Sequence, residues 1–199
     1  ICRRIHDVCP SQGTLRIADS NYGMYTRDIE ISAFIGEQMK IYGYPKYIDA
    51  TTGKNRPERI IESVEKASGA LVVYQAVQSL DENVLRNVKR QNIKLDAYRQ
   101  LQIHMRGRGL RSNSDLILGL PGETLESHLK ARKELLDSGI NQVTNFQLMM
   151  LKGSELDEQA SREMFRFKTK FRVLPKNFGV YGGRKVFDIE EIVVETDTL

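Results

Sequence analysis

Short apolar runs alternate with longer amphipathic runs along this chain of 199 residues. Five strand-like runs begin at Leu15, Lys46, Ala70, Asp115 and Val143, and helical periodicity fills the stretches between them. Strands that are separated in this way pair in parallel through right-handed crossovers. The pattern predicts the α/β class, either as a partial barrel or as an open doubly wound sheet, because a complete eightfold barrel takes about 250 residues.

The periodicity also predicts where each element lies. We expect strands over 15–19, 46–50, 70–77, 115–120 and 143–151, and helices over 27–41, 57–66, 81–90, 96–105 and 123–137. Pro57 suits a first helical turn and Asp81 suits an N-cap. A sixth strand is expected over 186–195, after a segment (178–185) that is interpreted as either a mobile loop or the rim of a substrate mouth. Nothing indicates a second domain, so 1–199 is predicted to be a single one.

Composition excludes several classes of protein. With 40% hydrophobic and 28% charged residues, the chain has enough apolar material for a folded core. It has no run of eighteen apolar residues, so no membrane partner is expected and the predicted location is the cytoplasm. The net charge of +4 is dispersed, and we interpret the basic run Arg106 to Arg111 as a solvated face rather than a phosphate-binding patch. Nucleic acid is therefore not favoured as a partner.

The cysteines and histidines show no metal-ligand spacing. Cys2 and Cys9 are expected to be free thiols rather than a disulfide. His6, His104 and His128 are far apart in the sequence, and each is predicted to lie in a helix as a surface or capping residue.

Polar residues follow four of the predicted strands. These segments are Asp19-Ser20-Asn21, Thr51 to Asn55, Gln78-Ser79 and Gly119 to Thr124. Turns are polar in general, so any single segment has an ordinary explanation as a turn or a helix cap. Ligands of parallel α/β sheets bind at the carboxyl ends of the strands, and four such segments at one rim indicate a binding site.

Alternation along the fourth strand places Leu116, Leu118 and Leu120 on one face and Asp115 and Gly119 on the other. Asp115 could accept a hydrogen bond from a ligand hydroxyl or amine, or it could be an ordinary turn residue before the strand. Gly119 permits a close backbone approach. The segment 121–124 opens the next helix, where free N–H groups favour an anion or a polar ligand atom.

Several of these segments together resemble the core of the radical S-adenosylmethionine (SAM) enzymes. The likeness rests on Val77-Gln78-Ser79, Val84-Leu85, Lys89-Arg90 and the run from Ser114 to Thr124, and it covers nearly the whole chain. The runs Ala18 to Gly23 and Phe146 to Leu151 are most similar to the cobalamin-binding branch. The resemblance implies a partial (β/α)6 barrel whose rim binds SAM and a [4Fe–4S] cluster, with cobalamin as a further possible cofactor.

The resemblance also implies which residues contact SAM. Gln78, Arg90 and Asp115 take the main roles, and Arg90 would clamp the methionine carboxylate. The alternative for Arg90 is a cation that stabilises a helix C-terminus. Asp19 and Asn21 stand where the family meets the methionine amino group, and Thr51 lies on the next rim segment. The remaining implied contacts are Ser79, Gly119, Pro121, Gly122 and Glu123.

One departure from the family concerns the cluster. The family holds it with three cysteines in a CxxxCxxC loop, because thiolates suit iron–sulfur chemistry, and this chain has two cysteines and no such loop. We therefore expect an internal fragment, cut at the N-terminus and at or near the last barrel strand, that holds no cluster and is inactive alone. Any cobalamin domain would lie upstream.

In an intact parent, the resemblance implies cleavage of SAM to a 5′-deoxyadenosyl radical, or a cobalamin-dependent radical reaction, on a small molecule of unknown identity. The alternative hypothesis is a cluster-free module. It would bind a nucleotide or polyanion through Lys54, Arg90 and the Arg106 to Arg111 run.

Overall fold

The computed structural model describes residues 4, 7–8, 13–53, 55–74, 76–92 and 95–199. Strands of this part are β1 (Thr14–Arg16), β2 (Tyr47–Asp49), β3 (Val73–Tyr74), β4 (Ser112–Leu118), β5 (Gln142–Gln147), β6 (Lys168–Tyr181) and β7 (Arg184–Glu195). Its α-helices are α1 (Thr26–Tyr42), α2 (Pro57–Lys66), α3 (Glu82–Asn87), α4 (Leu95–Gly107), α5 (Leu125–Asp137) and α6 (Gln159–Met164), with a short 3₁₀ turn at Glu155–Asp157. The predicted alternation of strand and helix is present from β1 to β5.

Parallel pairing joins the early strands, as the sequence predicts. β1 pairs with β2, with Leu15 opposite Ile48, and an isolated parallel bridge links Ile48 to Leu71. β3 pairs in parallel with β4, and the strand order in that sheet is β3-β4-β5. Helices connect these strands because the crossover between parallel neighbours must return the chain to the same end of the sheet.

The described residues divide into two compact units. Unit 1 comprises 1–77, 93–115 and 134–144, and unit 2 comprises 78–92, 116–133 and 145–199. The core of unit 1 buries Ile60, Ile61 and Val64 of α2 against Ile48 and Leu71. These α2 residues recur at helical spacing, so one face of the helix is apolar and faces the strands.

Unit 2 has its own core of Val84, Leu120, Leu148, Met150 and Val193. Asp81 caps α3 as predicted, since its Oδ1 accepts hydrogen bonds from the backbone N–H groups of Asn83 at 2.8 Å and Val84 at 3.2 Å. The helix is shorter than expected because it ends before Lys89, whose φ is +53°.

The last predicted strand exists but belongs to a different arrangement. β7 pairs antiparallel with β6, a strand that the periodicity did not reveal, and the predicted loop at 178–185 forms the adjoining strand ends and their turn. Pro175 interrupts the alternation of β6, and the pairing register shifts between Val173 and Phe178. A proline inside an apolar run is evidence against a strand unless the strand lies at a sheet edge or carries a bulge, and this irregularity hid β6.

Candidate functional site

A polar cleft of about 360 Å³ lies in unit 1 beyond the ends of β1 and β2. Its lining includes Asp19, Ser20, Asp49 and Thr51. The cleft therefore contains two of the predicted site residues, Asp19 and Thr51, at the carboxyl ends of two neighbouring parallel strands. Asn21, which was predicted to contact the methionine amino group together with Asp19, is exposed. Its backbone N–H donates to Asp19 Oδ1 at 2.8 Å.

A buried network holds the segment that carries Asp19 and Asn21. The carboxylate of Asp28, in the first turn of α1 and only 1% exposed, accepts from the backbone N–H groups of Gly23 at 2.9 Å and Tyr25 at 3.1 Å. The hydroxyl groups of Tyr22 and Ser32 lie 2.9 Å apart, and the Tyr22 N–H donates to the Thr51 carbonyl at 3.1 Å. Sequence reasoning missed this network, although an acidic residue in a first helical turn is a recognisable signal for capping.

Asp115 lies within β4, so the interpretation of this residue as a turn before the strand is wrong. Its side chain is half-buried, and Oδ1 accepts a hydrogen bond from the hydroxyl of Tyr74 on β3 at 2.9 Å. Burial raises the pKa of the Asp115 carboxyl above its usual value, and the Tyr74 hydrogen bond opposes that rise. Burial, followed by the interaction with Asp115, also raises the pKa of Tyr74.

Gln78 of unit 2 combines backbone strain with an unpaired acceptor. Its φ is +62°, in the left-handed region that side chains rarely occupy. Its Oε1 is buried and has no hydrogen-bond partner among the described residues. A buried unpaired acceptor costs about 1–3 kcal/mol, and such strain is typical of ligand-contacting positions. Both features fit the SAM contact that the resemblance implies.

Ser79 is 1% exposed and has internal partners. Its Oγ accepts from the backbone N–H of Asp81 at 3.2 Å, and its carbonyl accepts from Asn92 Nδ2 at 2.6 Å. These bonds fix the entry to α3. Ser79 therefore shapes the segment that carries Gln78.

The turn from Gly119 to Gly122 joins β4 to α5. Gly119 has a φ of +89° and Gly122 has a φ of +80°, values that disfavour any side chain. A Cβ atom on Gly122 would lie 2.8 Å from Asn87 Nδ2, and the same Asn87 Nδ2 donates to the Pro121 carbonyl at 3.0 Å. The turn is thus held close to the end of α3.

The buried side chain of Glu123 stabilises this turn. The residue is 0% exposed, Oε2 accepts from the Gly119 N–H at 2.9 Å, and Oε1 lies 3.0 Å from His128 Nδ1. Burial raises the pKa of Glu123, and the His128 hydrogen bond is the largest opposing effect. Both carboxylate oxygens are therefore engaged within unit 2. The helix begins at Leu125 rather than at Glu123, because Thr124 and Ser127 exchange capping hydrogen bonds, each 3.0 Å long.

His128 corrects the prediction of a surface histidine. It lies on α5 and is 5% exposed, and its Nε2 is 3.2 Å from Asn145 Oδ1 while Nδ1 faces Glu123. Its neighbours Leu125 and Leu129 are more than half exposed, so the polar residue rather than the leucines faces inward at this position. The buried carboxylate explains the inversion, since a buried charge requires a partner.

The basic residues of the polyanion hypothesis differ in their surroundings. Arg90 is exposed, lies beyond the end of α3, and makes no ion pair with any described residue. It is therefore not a last-turn cation of that helix. Within the Arg106 to Arg111 run, Arg108 pairs with Glu65 at 2.9 Å. Lys54, the remaining residue of the polyanion hypothesis, lies outside the described residues.

The cluster does not fit the residues of this chain. Cys2, Cys9 and His6 lie outside the described residues, as does the side chain of His104. Among the residues that are described, no three His, Cys, Asp or Glu side chains are grouped to hold a metal ion. The whole sequence has two cysteines, one fewer than the family's three thiolate ligands.

Similarity to known proteins agrees with the motif. The chain is 30% identical over 159 residues to the cobalamin-dependent radical SAM methyltransferase TokK of Streptomyces tokunonensis, an alignment that covers 78% of this chain and 23% of TokK. It is 32% identical over 128 residues to a 2-(S-pantetheinyl)-carbapenam-3-carboxylate methyltransferase of Streptantibioticus cattleyicolor, over 63% of this chain and 19% of that protein. The resemblance to the radical SAM enzymes is therefore confirmed, since the homologues of this chain are cobalamin-dependent radical SAM methyltransferases.

The fold comparison supports the same assignment. The radical SAM enzyme coproporphyrinogen III oxidase (HemN) of Escherichia coli matches with a TM-score of 0.52 and 20% identity, over 67% of this chain and 32% of HemN. The fold is that of part of a radical SAM barrel, which selects the barrel over the open sheet. No family model matches the chain. The chain spans about a quarter or less of the length of the two curated relatives.

No helix in the described ranges combines the length and the apolar character that crossing a membrane requires.

Proposed function

We propose that this chain is the SAM-binding part of a cobalamin-dependent radical SAM methyltransferase that acts on a small molecule. The observation that carries the proposal is the 30% identity over 159 residues to TokK, a cobalamin-dependent radical SAM methyltransferase. The second curated relative is also a methyltransferase, which favours methyl transfer among the reactions of the superfamily.

Residues of unit 1 bind the polar groups of SAM in this proposal. Asp19 and Asn21 meet the methionine amino group, Thr51 lines the adjacent rim, and Asp115 accepts from a hydroxyl or amine. Support comes from the cleft beyond β1 and β2, where Asp19 and Thr51 are both present, and from the half-buried position of the Asp115 carboxylate. Carboxylates are suited to this task because they accept hydrogen bonds from amines and hydroxyl groups.

Gln78, Arg90 and the turn after β4 supply the remaining contacts in the proposal. Gln78 hydrogen-bonds to SAM through its unpaired Oε1, and Arg90 clamps the methionine carboxylate with its fork of N–H donors. Gly119, Pro121 and Gly122 contact SAM through backbone atoms. Ser79 and Glu123 act through the segments they hold rather than by direct contact, because their side chains are buried and already bonded.

The other cofactors are assigned to the enzyme and not to residues of this chain. When bound, a [4Fe–4S] cluster supplies the electron that cleaves SAM, and cobalamin supplies a carrier for the methyl group. The two cysteines here do not fit a cluster with three thiolate ligands. A cytoplasmic location is part of the proposal, since thiolate ligands persist in a reducing compartment.

Equilibrium dialysis of the 1–199 chain against radiolabelled SAM tests the proposal. We expect saturable binding that Arg90→Ala weakens about tenfold, because a charge-assisted bidentate contact is lost. Arg132→Ala is the matched control, since Arg132 is an exposed arginine on α5 of the same unit. Absence of saturable binding, or equal affinities for the two variants, would contradict the proposal.

A further inference from the structure

Tyr74 reaches the proposed ligand Asp115 from the neighbouring strand. Tyr74 lies opposite Asn113 in the parallel register of β3 and β4, so Asp115 is two residues further along β4. The Tyr74 hydroxyl donates to Asp115 Oδ1 at 2.9 Å. Diagonal neighbours on adjacent strands are within reach of long aromatic side chains. Tyr74 is not part of the motif by which the family resemblance was identified.

The N–H and carbonyl groups of Tyr74 bond the side chain of Thr52 rather than the backbone of another strand. Thr52 is 3% exposed. Its hydroxyl donates to the Tyr74 carbonyl at 2.8 Å and accepts from the Tyr74 N–H at 2.9 Å. Thr144 on β5 lies near enough to the Tyr74 hydroxyl to oppose part of the rise in its pKa. Thr52 therefore fixes the backbone of Tyr74 within unit 1, and the hydroxyl at the end of its ring donates to Asp115.

The Asp115 carboxylate retains capacity for a ligand. Only Oδ1 is engaged with Tyr74, and Oδ2 makes no hydrogen bond to any of the described residues. A carboxylate offers about four acceptor positions. Holding one oxygen in place orients the other, and a pre-oriented acceptor binds its ligand without the cost of ordering the side chain.

We infer that Tyr74 is a positioning residue, which holds Asp115 Oδ1 so that Oδ2 accepts a hydrogen bond from a hydroxyl or amine of bound SAM. This inference rests on the proposed function and adds to it a residue outside the recognised motif. Tyr74 itself does not touch SAM.

A double-mutant cycle on the 1–199 chain tests this role with SAM as the ligand in equilibrium dialysis. Tyr74→Phe keeps the ring and removes the hydroxyl, and we expect SAM affinity to fall about tenfold, as for a hydrogen bond to a charged group. Asp115→Asn should lower affinity at least as much. The double variant should bind no more weakly than Asp115→Asn alone, because the two residues act as one unit. Tyr47→Phe, at a 56% exposed position on β2, is the control.

The pH dependence of binding separates positioning from a structural role. Among the described residues, Thr144 on β5 and the charge of Asp49 on β2 also affect the pKa of Tyr74. The hydroxyl of Tyr74 lowers the pKa of Asp115, so Tyr74→Phe should move the acidic loss of SAM binding to higher pH. A variant that merely loosens the fold would weaken binding without moving that midpoint.

The outcomes distinguish the two hypotheses. If the wild-type chain does not bind SAM, the proposed function and this inference both fail. If wild type binds SAM and Tyr74→Phe has unchanged affinity and an unchanged pH midpoint, the inference alone fails. Additive effects of Tyr74→Phe and Asp115→Asn would also overturn it, since they would place the two residues in independent roles.

Discussion

Replacing Glu123 tests whether the buried carboxylate holds the turn between β4 and α5. Its oxygens bond the Gly119 N–H at 2.9 Å and face His128 Nδ1 at 3.0 Å, and the residue is 0% exposed. Glu123→Ala removes both interactions and leaves two buried polar groups without partners. Breaking one partner of a buried pair costs about 3–5 kcal/mol, so we expect a loss of that size in the free energy of unfolding.

The amide variant gives a graded comparison. Glu123→Gln keeps an oxygen for the Gly119 N–H and an NH₂ group for His128, so the cost should fall to about 1–2 kcal/mol. Urea unfolding monitored by circular dichroism measures both variants, with Glu126→Ala, exposed in the first turn of α5, as the control. If Glu123→Ala costs no more than Glu126→Ala, the carboxylate does not hold the turn and the reasoning is refuted.

Two further predictions concern acid stability and iron content. Hydrogen bonds from Arg162 and then from Thr169 lower the pKa of Glu191 from 4.5 to about 2. The stabilising effect of the Glu191 carboxylate is therefore present above pH 4.5 and is lost as the pH falls toward 2. Glu191→Gln should flatten the dependence of the unfolding free energy on pH in that range. An unchanged profile would count against a stabilising Glu191–Arg162 interaction. Anaerobic reconstitution of the 1–199 chain should give far fewer than about four irons per chain, the content of a [4Fe–4S] cluster, and a full complement by iron assay would overturn the prediction.

Periodicity predicted those elements that have one buried face. The bounds of α2 agree with the prediction, because Pro57 starts the helix and Ile60, Ile61 and Val64 share the face that packs in the core. β6 was missed for the opposite reason. Its alternation is broken by Pro175 and by a change of register, and its side chains Phe171 and Phe178 are mostly exposed, so no constant buried face shaped the pattern.

Residues of the candidate site could be predicted only where their side chains are polar or where the family resemblance includes them. Asp19, Thr51 and Asp115 could be named because polar residues accompany several strands together and because the family resemblance covers them, although each alone has an ordinary structural explanation. Tyr74 could not be found in this way, since an aromatic residue in a strand is most simply a packing residue. Its role depends on the register between β3 and β4, which sequence periodicity does not specify.

The motif that contains Glu123 also shows that a family pattern does not distinguish residues that contact the ligand from residues that stabilise the turn. The pattern records that Gly119, Gly122 and Glu123 occur together, and a ligand role for all three is one explanation. The structure gives a second, in which the two glycines permit the turn and the buried carboxylate fixes it through the Gly119 N–H. The two explanations differ in their consequences. If Glu123 only supports the turn, Glu123→Gln should reduce SAM affinity much less than Arg90→Ala, because the amide retains the bond to Gly119. A direct contact would give the opposite order, since an amide replaces a charged acceptor at the ligand itself.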